Sequence, residues 1–285
     1  MNKIQSLTPE VLKIVRGKST EPPFSGEYTD WNTAGTYLCR LCGLALFRSD
    51  TKFHSACGWP SFDDDIKNSV IEQPDPDGRR TEIVCARCAA HLGHVFRGEA
   101  MTAKNKRHCV NSLSLDYVSD LSVVDTEEAI FAAGCFWGVE HYFKKLSGVV
   151  KTEVGYTGGH TLNPTYKEVC VGNTGHFEAI RVLYDPKKIN YEDITKYFFE
   201  IHNPIQNNGQ GPDIGSQYLS AIFCYDETQE KTARALISIL TESGLRIATH
   251  VLPVSPFWRA EEYHQNYYTK TGKEPYCHTY EKRFF

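Results

Sequence analysis

No run of apolar residues in this chain approaches the ~18 residues that a membrane-spanning helix needs, so no membrane partner is expected. Positive charge is not in surplus: 31 Lys and Arg face 35 Asp and Glu, a net charge of −4. The chain therefore lacks the basic footprint of a nucleic-acid binder. The stretch from Met1 to Gly17 mixes polar and apolar residues without a hydrophobic h-region, so no secretory signal is expected. Internal repeats and low-complexity segments are also lacking. These absences point to a cytoplasmic chain whose thiols are reduced.

Cysteine is what the chain has, with ten in 285 residues. A disulfide scaffold is the usual reading of many cysteines in a short secreted chain, but this chain is long and carries capped helices. Its length favours two domains, and 41% apolar with 23% charged residues suits buried cores. From Tyr37 to Tyr117 short β-type runs alternate with turns, including Thr81-Glu-Ile-Val-Cys85 and Ser112-Leu-Ser-Leu-Asp-Tyr-Val118. A helix is predicted just before them, with Thr8 as cap, Pro9 at its start and Gly17 at its end. The acidic, polar stretch over 119–128 marks a boundary. Beyond it, Ala129–Ala133 reads as a buried strand, and Cys135 opens a helix. Asn190 and Asp226 cap two more helices, and a last one is predicted over about 260–270. The expected division is 1–120, a linker over 121–128, and 129–285. The first part is mainly β and the second α/β, with helices interleaved among strands.

Two C-x-x-C pairs, Cys39/Cys42 and Cys85/Cys88, lie in the β-rich half. Each can present two thiolates along one edge of a tetrahedron, and together they close a four-thiolate site with no open position. One structural zinc is therefore expected, clipping a small β domain together. Arg40 and Arg87 inside the pairs argue against four unliganded core cysteines.

Cys109 follows Arg107 and His108, and cationic neighbours favour a reactive thiolate. With it go Ser25-Gly-Glu-Tyr28, Gly58-Trp-Pro-Ser-Phe62, His91-Leu-Gly-His-Val-Phe96 and Arg107-His-Cys-Val-Asn-Ser112. Over roughly residues 7 to 118 this half resembles methionine sulfoxide reductase B. The resemblance implies a zinc-stabilised fold of two antiparallel sheets. It implies Cys109 as nucleophile and Cys57 as resolving thiol. Trp59 would pack the substrate methyl group, and His91, His94 and Asn111 would serve the sulfoxide oxygen. Arg97-Gly98-Glu99 stands where the family often has Asp-Gly.

Cys135 sits in Gly134-Cys-Phe-Trp-Gly138, at a strand-to-helix turn where the helix N-terminus favours a thiolate. Oxide is a poor leaving group, so a sulfoxide oxygen must be protonated as sulfur is attacked. A carboxyl kept protonated by burial can supply that proton. Glu178, in an apolar β-type run, is the candidate, although a strand glutamate ordinarily faces water. Over about residues 127 to 278 this half resembles methionine sulfoxide reductase A. The motifs are Gly134–Gly138, Tyr156-Thr-Gly-Gly159, Asn163-Pro-Thr-Tyr166, Thr174-Gly-His-Phe-Glu178, Asp213-Ile-Gly-Ser-Gln-Tyr218 and Ala260-Glu-Glu-Tyr-His-Gln265. The resemblance implies an α/β (α+β) sandwich with Cys135 as nucleophile and Glu178 as acid. Tyr166 and Tyr218 would bond the oxygen, Asp213 would shape the pocket, and Phe136 and Trp137 would hold the S-methyl. Phe177 replaces a smaller residue common in the family. Cys277, past Gly272 and Pro275, reads as a resolver on a mobile tail. Cys170 and Cys224 read as inert core thiols on strands.

The resemblance implies a bifunctional reductase of methionine sulfoxide, free or in proteins. The R epimer would be taken by the first domain and the S epimer by the second. A thioredoxin-like reductant would recycle a monomeric enzyme. A thiol peroxidase would need neither the tryptophan-lined pocket nor the buried acid. A zinc-ribbon interaction module would need neither Cys109 nor Cys135.

Overall fold

The computed structural model describes residues 3–285, in two compact units. One is Leu7–Thr126; the other combines the described residues up to Ser6 with Glu127–Phe285. Met1, where the sequence reading begins, lies outside the described residues. Among the described residues no helix is long and apolar enough to cross a membrane.

The Leu7–Thr126 unit is mainly β. Helix Pro9–Val15 starts with Thr8 accepting the Val11 N–H and Pro9 in its first turn. A six-stranded antiparallel sheet runs Lys52–Phe53, Ser61–Phe62, Lys106–Val110, His91–Arg97, Thr81–Cys85, Val70–Pro74. A three-stranded antiparallel sheet sets Thr36–Cys39 between Ala45–Arg48 and Leu115–Val118. Buried rings hold the sheets together: Phe47 of the small sheet stacks on Phe62 of the large one at 4.4 Å, and Tyr37 meets Phe62 edge-on at 4.9 Å. The strand predicted from Ser112 begins only at Leu115. A 3-10 turn over Ser112–Ser114 precedes it, because the Glu21 carboxylate takes the amides of Ser112 and Leu113. The segment read as a linker is fastened down. Val123 is fully buried, the Ala45 N–H donates to Val124 O, and Arg87 grips Asp125 through two hydrogen bonds of 2.7 and 2.9 Å.

In the other unit the central strand is Glu127–Ala133, which starts two residues before the predicted Ala129. It lies in a six-stranded sheet ordered His250–Pro253, Ser220–Cys224, Glu127–Ala133, Phe177–Tyr184, Val149–Thr157, Trp258–Arg259. Only the first of these pairs is parallel. Side chains alternate across the sheet, so Ala129, Phe131 and Ala133 enter one core while Ile130 and Ala132 enter another. Burial on both faces explains the unbroken apolar run. Helices Phe136–Phe143, Tyr191–Glu200 and Glu227–Glu242 cover the first face, where Phe131 stacks between Phe143 and Phe198. The helix predicted over 260–270 is confined to Tyr267–Thr271. Ahead of it the Gln265 amide bonds both the N–H and the carbonyl of Val154, and Asn266 turns left-handed at φ 57°.

A buried charge cluster ties the N-terminal residues into this unit. Glu128 meets Arg181 at 2.8 Å and Lys3 at 3.1 Å, all three being at most 3% exposed, and Tyr225 donates to the same carboxylate. Burial alone would raise the Glu128 pKa, but the Arg181 and Lys3 charges outweigh it and hold it at about 2, against an ordinary 4.5. A depressed carboxyl pKa stabilises the fold above about pH 4.5, and that contribution fades as pH falls toward 2. Glu128→Ala leaves the buried Lys3 without its counter-charge and Arg181 with Glu153 alone. It is expected to cost this unit roughly 3–5 kcal/mol near neutral pH. Thermal melts should show it as a midpoint several degrees lower. A midpoint within about one degree of the wild type contradicts the account.

Candidate active sites and metal cluster

The two C-x-x-C pairs form matching turns. In one, Gly43 N–H donates to Cys39 O at 2.8 Å and Cys39 N–H to Leu44 O at 2.8 Å. In the other, Ala89 N–H donates to Cys85 O at 2.9 Å and Cys85 N–H to Ala90 O at 2.9 Å. Positive φ at Gly43 (77°) and Ala89 (56°) turns each chain back. All four sulfurs lie within 4.8 Å of one another, with Cys39–Cys88 and Cys42–Cys85 each 3.6 Å apart. Four thiolates at about 2.3 Å from a tetrahedral zinc have edges of about 3.8 Å. The cluster is compatible with a structural zinc.

In the same unit Cys109 occupies an inner strand, paired across to Ser61 on one side and His94 on the other. Cys57 reaches it from the preceding loop, sulfur to sulfur 3.8 Å. A disulfide of about 2.05 Å is within reach by side-chain rotation and small loop movement. The hydrogen bond from Cys109, helped by the Ser55 and Ser61 hydroxyls, outweighs burial and lowers Cys57 to about 4. The same hydrogen bond and burial raise Cys109, and Arg107 acts against that rise. Arg107 is itself fixed, bonded to Glu99 at 2.7 and 2.9 Å and lying 4.5 Å over the Phe96 ring. The Glu99 that departs from the family pattern is thus the anchor of Arg107.

A pocket of about 100 Å³ opens at Cys109, lined by Trp59, Phe96, Arg80, His94 and Asn111 among others. Trp59 is held by its indole N–H donating to Glu21 O at 3.1 Å. His94 Nε2 bonds Asp75 Oδ2 at 2.7 Å. His91 stands behind the pocket wall, with Nδ1 on Glu82 at 2.7 Å, and burial lowers its pKa. The Asn111 amide is engaged with backbone, accepting from Glu21 N and donating to Leu92 O. Sequence reasoning missed Arg80, Phe96, Asp75 and Glu82, whose motifs name no chemistry of their own.

In the Glu127–Phe285 unit, the turn at Gly134 (φ 89°) delivers Cys135 to the start of helix Phe136–Phe143. Glu178 shares a strand face with Ile180 and Val182, so it points under that helix start. It is 1% exposed, and its carboxylate accepts the Phe136 N–H at 3.1 Å. Burial, then Cys135 and Asp213, raise its pKa and outweigh that one amide. Cys135, expected to be depressed by the helix terminus, is instead raised. Its hydrogen bond with Cys277 and its burial outweigh the helix. Thiol and carboxyl are thus both shifted toward their protonated forms.

Aromatic rings wall the site. Trp137 stacks on Tyr267 at 3.7 Å and donates to His264 Nδ1 at 3.0 Å, while Tyr166 packs on the same imidazole at 4.5 Å. Glu261 accepts from Tyr166 N–H and Tyr156 hydroxyl. Tyr166 and Tyr218 are half-buried phenols whose pKa values burial and Glu178 push up, so they stay donors. Phe177 packs into the opposite core against Phe223, away from the Glu178 face.

Two expectations about cysteines are corrected. Cys277 is not on a mobile tail: it is 8% exposed, and its sulfur lies within 4.8 Å of both Cys135 Sγ and an Asp213 oxygen. Tyr276 donates to Asp213 at 3.1 Å, and His278 is buried against Gly138, where a Cβ would collide with its ring. Cys170 is neither on a strand nor in the core. The Thr165/Glu168 capping box starts helix Tyr166–Val171, which buries Val169 and turns Cys170 to solvent. Cys224 is buried on its strand. Gly138→Ala is expected to lift the 276–278 segment. Peptide mass spectrometry should then find Cys277 alkylated several-fold faster than in the wild type, and an unchanged rate contradicts this packing.

Comparison with known proteins agrees with the geometry. The family described as peptide methionine sulfoxide reductase matches residues 127–284, and the SelR domain matches residues 7–119. The peptide methionine sulfoxide reductase MsrA of Methanosarcina acetivorans is 49% identical over 149 residues, covering 51% of this chain and 79% of that protein. That of Escherichia coli is 46% identical over 175 residues, covering 59% of this chain and 79% of its own length. Among solved structures, Mxr1 from Saccharomyces cerevisiae in reduced form is similar at a TM-score of 0.52 and 36% identity, covering 56% of this chain and 93% of that one. A thiol beside a buried carboxyl in one unit and a thiol pair in the SelR unit fit these matches. The chain belongs to the peptide methionine sulfoxide reductase family and is an oxidoreductase that reduces methionine sulfoxide to methionine.

Proposed function

We propose that the chain carries two complete methionine sulfoxide reductase sites and that each takes one sulfur epimer. The observation that carries the reading is the buried Glu178, its pKa raised, under the helix start at Cys135, whose sulfur lies within 4.8 Å of Cys277 Sγ. In the Glu127–Phe285 unit, Cys135 Sγ attacks the sulfoxide sulfur while Glu178 gives its proton to the oxygen and recovers one from the thiol. Tyr166 and Tyr218 hold the oxygen, Phe136 and Trp137 hold the methyl group, and Asp213 shapes the pocket. Methionine leaves, and Cys135 remains as a sulfenic acid. Cys277 then attacks that sulfur, water departs, and a disulfide forms.

In the Leu7–Thr126 unit Cys109 is the nucleophile, because it lines the pocket and Cys57 sits beside it. Trp59 packs the methyl group, and His94 serves the oxygen from the pocket wall. His91 and Asn111 serve it by fixing the wall behind. Cys57 resolves the sulfenic acid. Zinc on Cys39, Cys42, Cys85 and Cys88 would supply a structural clip and no chemistry, since all four tetrahedral positions are taken. Each disulfide returns to thiols by exchange with a dithiol protein of the thioredoxin class, in a reducing compartment such as the cytoplasm. The substrate is methionine sulfoxide, free or in proteins, and the enzyme acts as a monomer.

Methionine sulfoxide has two sulfur epimers, and the two reductase types take one each. The SelR unit is assigned the R epimer and the other unit the S epimer. Separate R and S sulfoxides with dithiothreitol test this. Cys109→Ser is expected to lose reduction of R alone, and Cys135→Ser of S alone, each by at least ~10³-fold. Loss of both epimers from either single change overturns the division.

A further inference from the structure

We propose that His278 is the general base of the resolving step, taking the thiol proton of Cys277 as that sulfur attacks the sulfenic acid on Cys135. The inference rests on the reading of Cys277 as resolver and adds the residue that activates it. His278 is 3% exposed and makes two polar contacts: Nε2 to Ala133 O at 2.7 Å, and Nδ1 to Cys277 Sγ at 3.1 Å. A carbonyl oxygen can only accept, so Nε2 carries the hydrogen. In a neutral imidazole Nδ1 then holds the lone pair, and the Cys277 S–H is its donor. The tautomer is fixed by the backbone of the strand that ends at the nucleophile's own turn. Burial keeps the ring neutral, lowering it to about 4, with the Ala133 contact and Asp213 acting the other way. The titratable groups facing it are Cys277, Cys135, Asp213 and His202, and Tyr142 donates to its backbone carbonyl.

The step balances. The Cys277 S–H bond breaks and its proton moves to Nδ1. A sulfur–sulfur bond forms as the S–O bond of the sulfenic acid breaks. The leaving hydroxide takes the proton from Nδ1 and departs as water. Cys277 is oxidised, the Cys135 sulfur is reduced, and no outside oxidant or reductant enters. An unassisted thiol, ordinarily near pKa ~8.5, would be only a few per cent ionised at neutral pH, whereas a neutral imidazole at hydrogen-bond distance serves every molecule.

His278→Gln in the full chain is the test, because a glutamine can still donate to Ala133 O but is no base. Single-turnover reaction with the S sulfoxide, quenched and thiol-counted, separates the methionine burst from formation of the Cys135–Cys277 disulfide. The burst precedes the resolving step and reports that the fold is intact; if Gln abolishes it, His278→Asn is measured in the same way. The expected result is disulfide formation slowed roughly 10²-fold or more. In the wild type that step should be flat with pH from about 6 to 8, and in the variant it should climb about tenfold per pH unit. An unchanged rate, or a slowed rate with a flat pH profile, overturns the proposal. Cys277→Ser tests the underlying reading separately. It should leave a Cys135 sulfenic acid that dimedone traps. A Cys135 disulfide formed without Cys277 would refute the resolver assignment whatever His278 does.

Discussion

The carboxyl of Glu178 is buried, with burial, Cys135 and Asp213 raising its pKa, and in the proposed mechanism the Glu127–Phe285 unit is arranged around that condition. A sulfoxide oxygen cannot leave as oxide, so a proton must wait beside it in a place water does not reach. The sheet provides the place. Glu178 stands on the face that carries Ile180 and Val182, under the first turn of helix Phe136–Phe143. The doubly buried strand Glu127–Ala133 runs alongside it and ends at the Gly134 turn, so Cys135 emerges beside Glu178. The contrast with Glu128 is instructive. Both carboxyls are buried in one sheet, but Arg181 and Lys3 lower the pKa of Glu128, while burial, Cys135 and Asp213 raise that of Glu178. Neighbouring charge decides which carboxyl is structural and which can give up a proton.

The Leu7–Thr126 unit handles the same chemistry with different parts. Its thiols meet between an inner strand and a loop, and the nearby imidazoles are braced by carboxylates, His94 on Asp75 and His91 on Glu82. Here the strand carrying Cys109 also carries Arg107, whose charge favours the thiolate. The thiolate cluster lies at the ends of strands Thr36–Cys39 and Thr81–Cys85, one from each sheet, so a metal there would pin the two sheets that the Phe47–Phe62 stack also joins.

Much of this was legible in the chain. Helix caps at Thr8, Asn190 and Asp226, the buried strand before Cys135, and both C-x-x-C knuckles follow local rules that tertiary structure left intact. Strands His91–Arg97 and Lys106–Val110 were harder to see. Their polar residues face a site or an ion pair rather than water, which blurs the two-residue alternation. Cys170 was misread because the short apolar run Val169–Val171 suits a strand as well as a short helix, and the capping box ahead of it distinguishes them. The Cys277 segment looked loose for the same kind of reason: Gly272 and Pro275 signal a turn, while what anchors it is His278 on the distant Ala133 carbonyl and Tyr276 on Asp213. Long-range hydrogen bonds of that type leave no local trace.

The central claim is that geometry sorts the ten cysteines into separate tasks, and mapping disulfides after one turnover tests it most directly. The reduced full chain is given one equivalent of a single sulfoxide epimer, quenched with an alkylating reagent, and digested for peptide mass spectrometry. The account predicts a Cys135–Cys277 disulfide alone after the S epimer and a Cys57–Cys109 disulfide alone after the R epimer. In both cases Cys39, Cys42, Cys85 and Cys88 should stay unmodified until a chelator is added. A disulfide that crosses between the two pairs, or one that recruits any cysteine of the four-thiolate cluster, would contradict it.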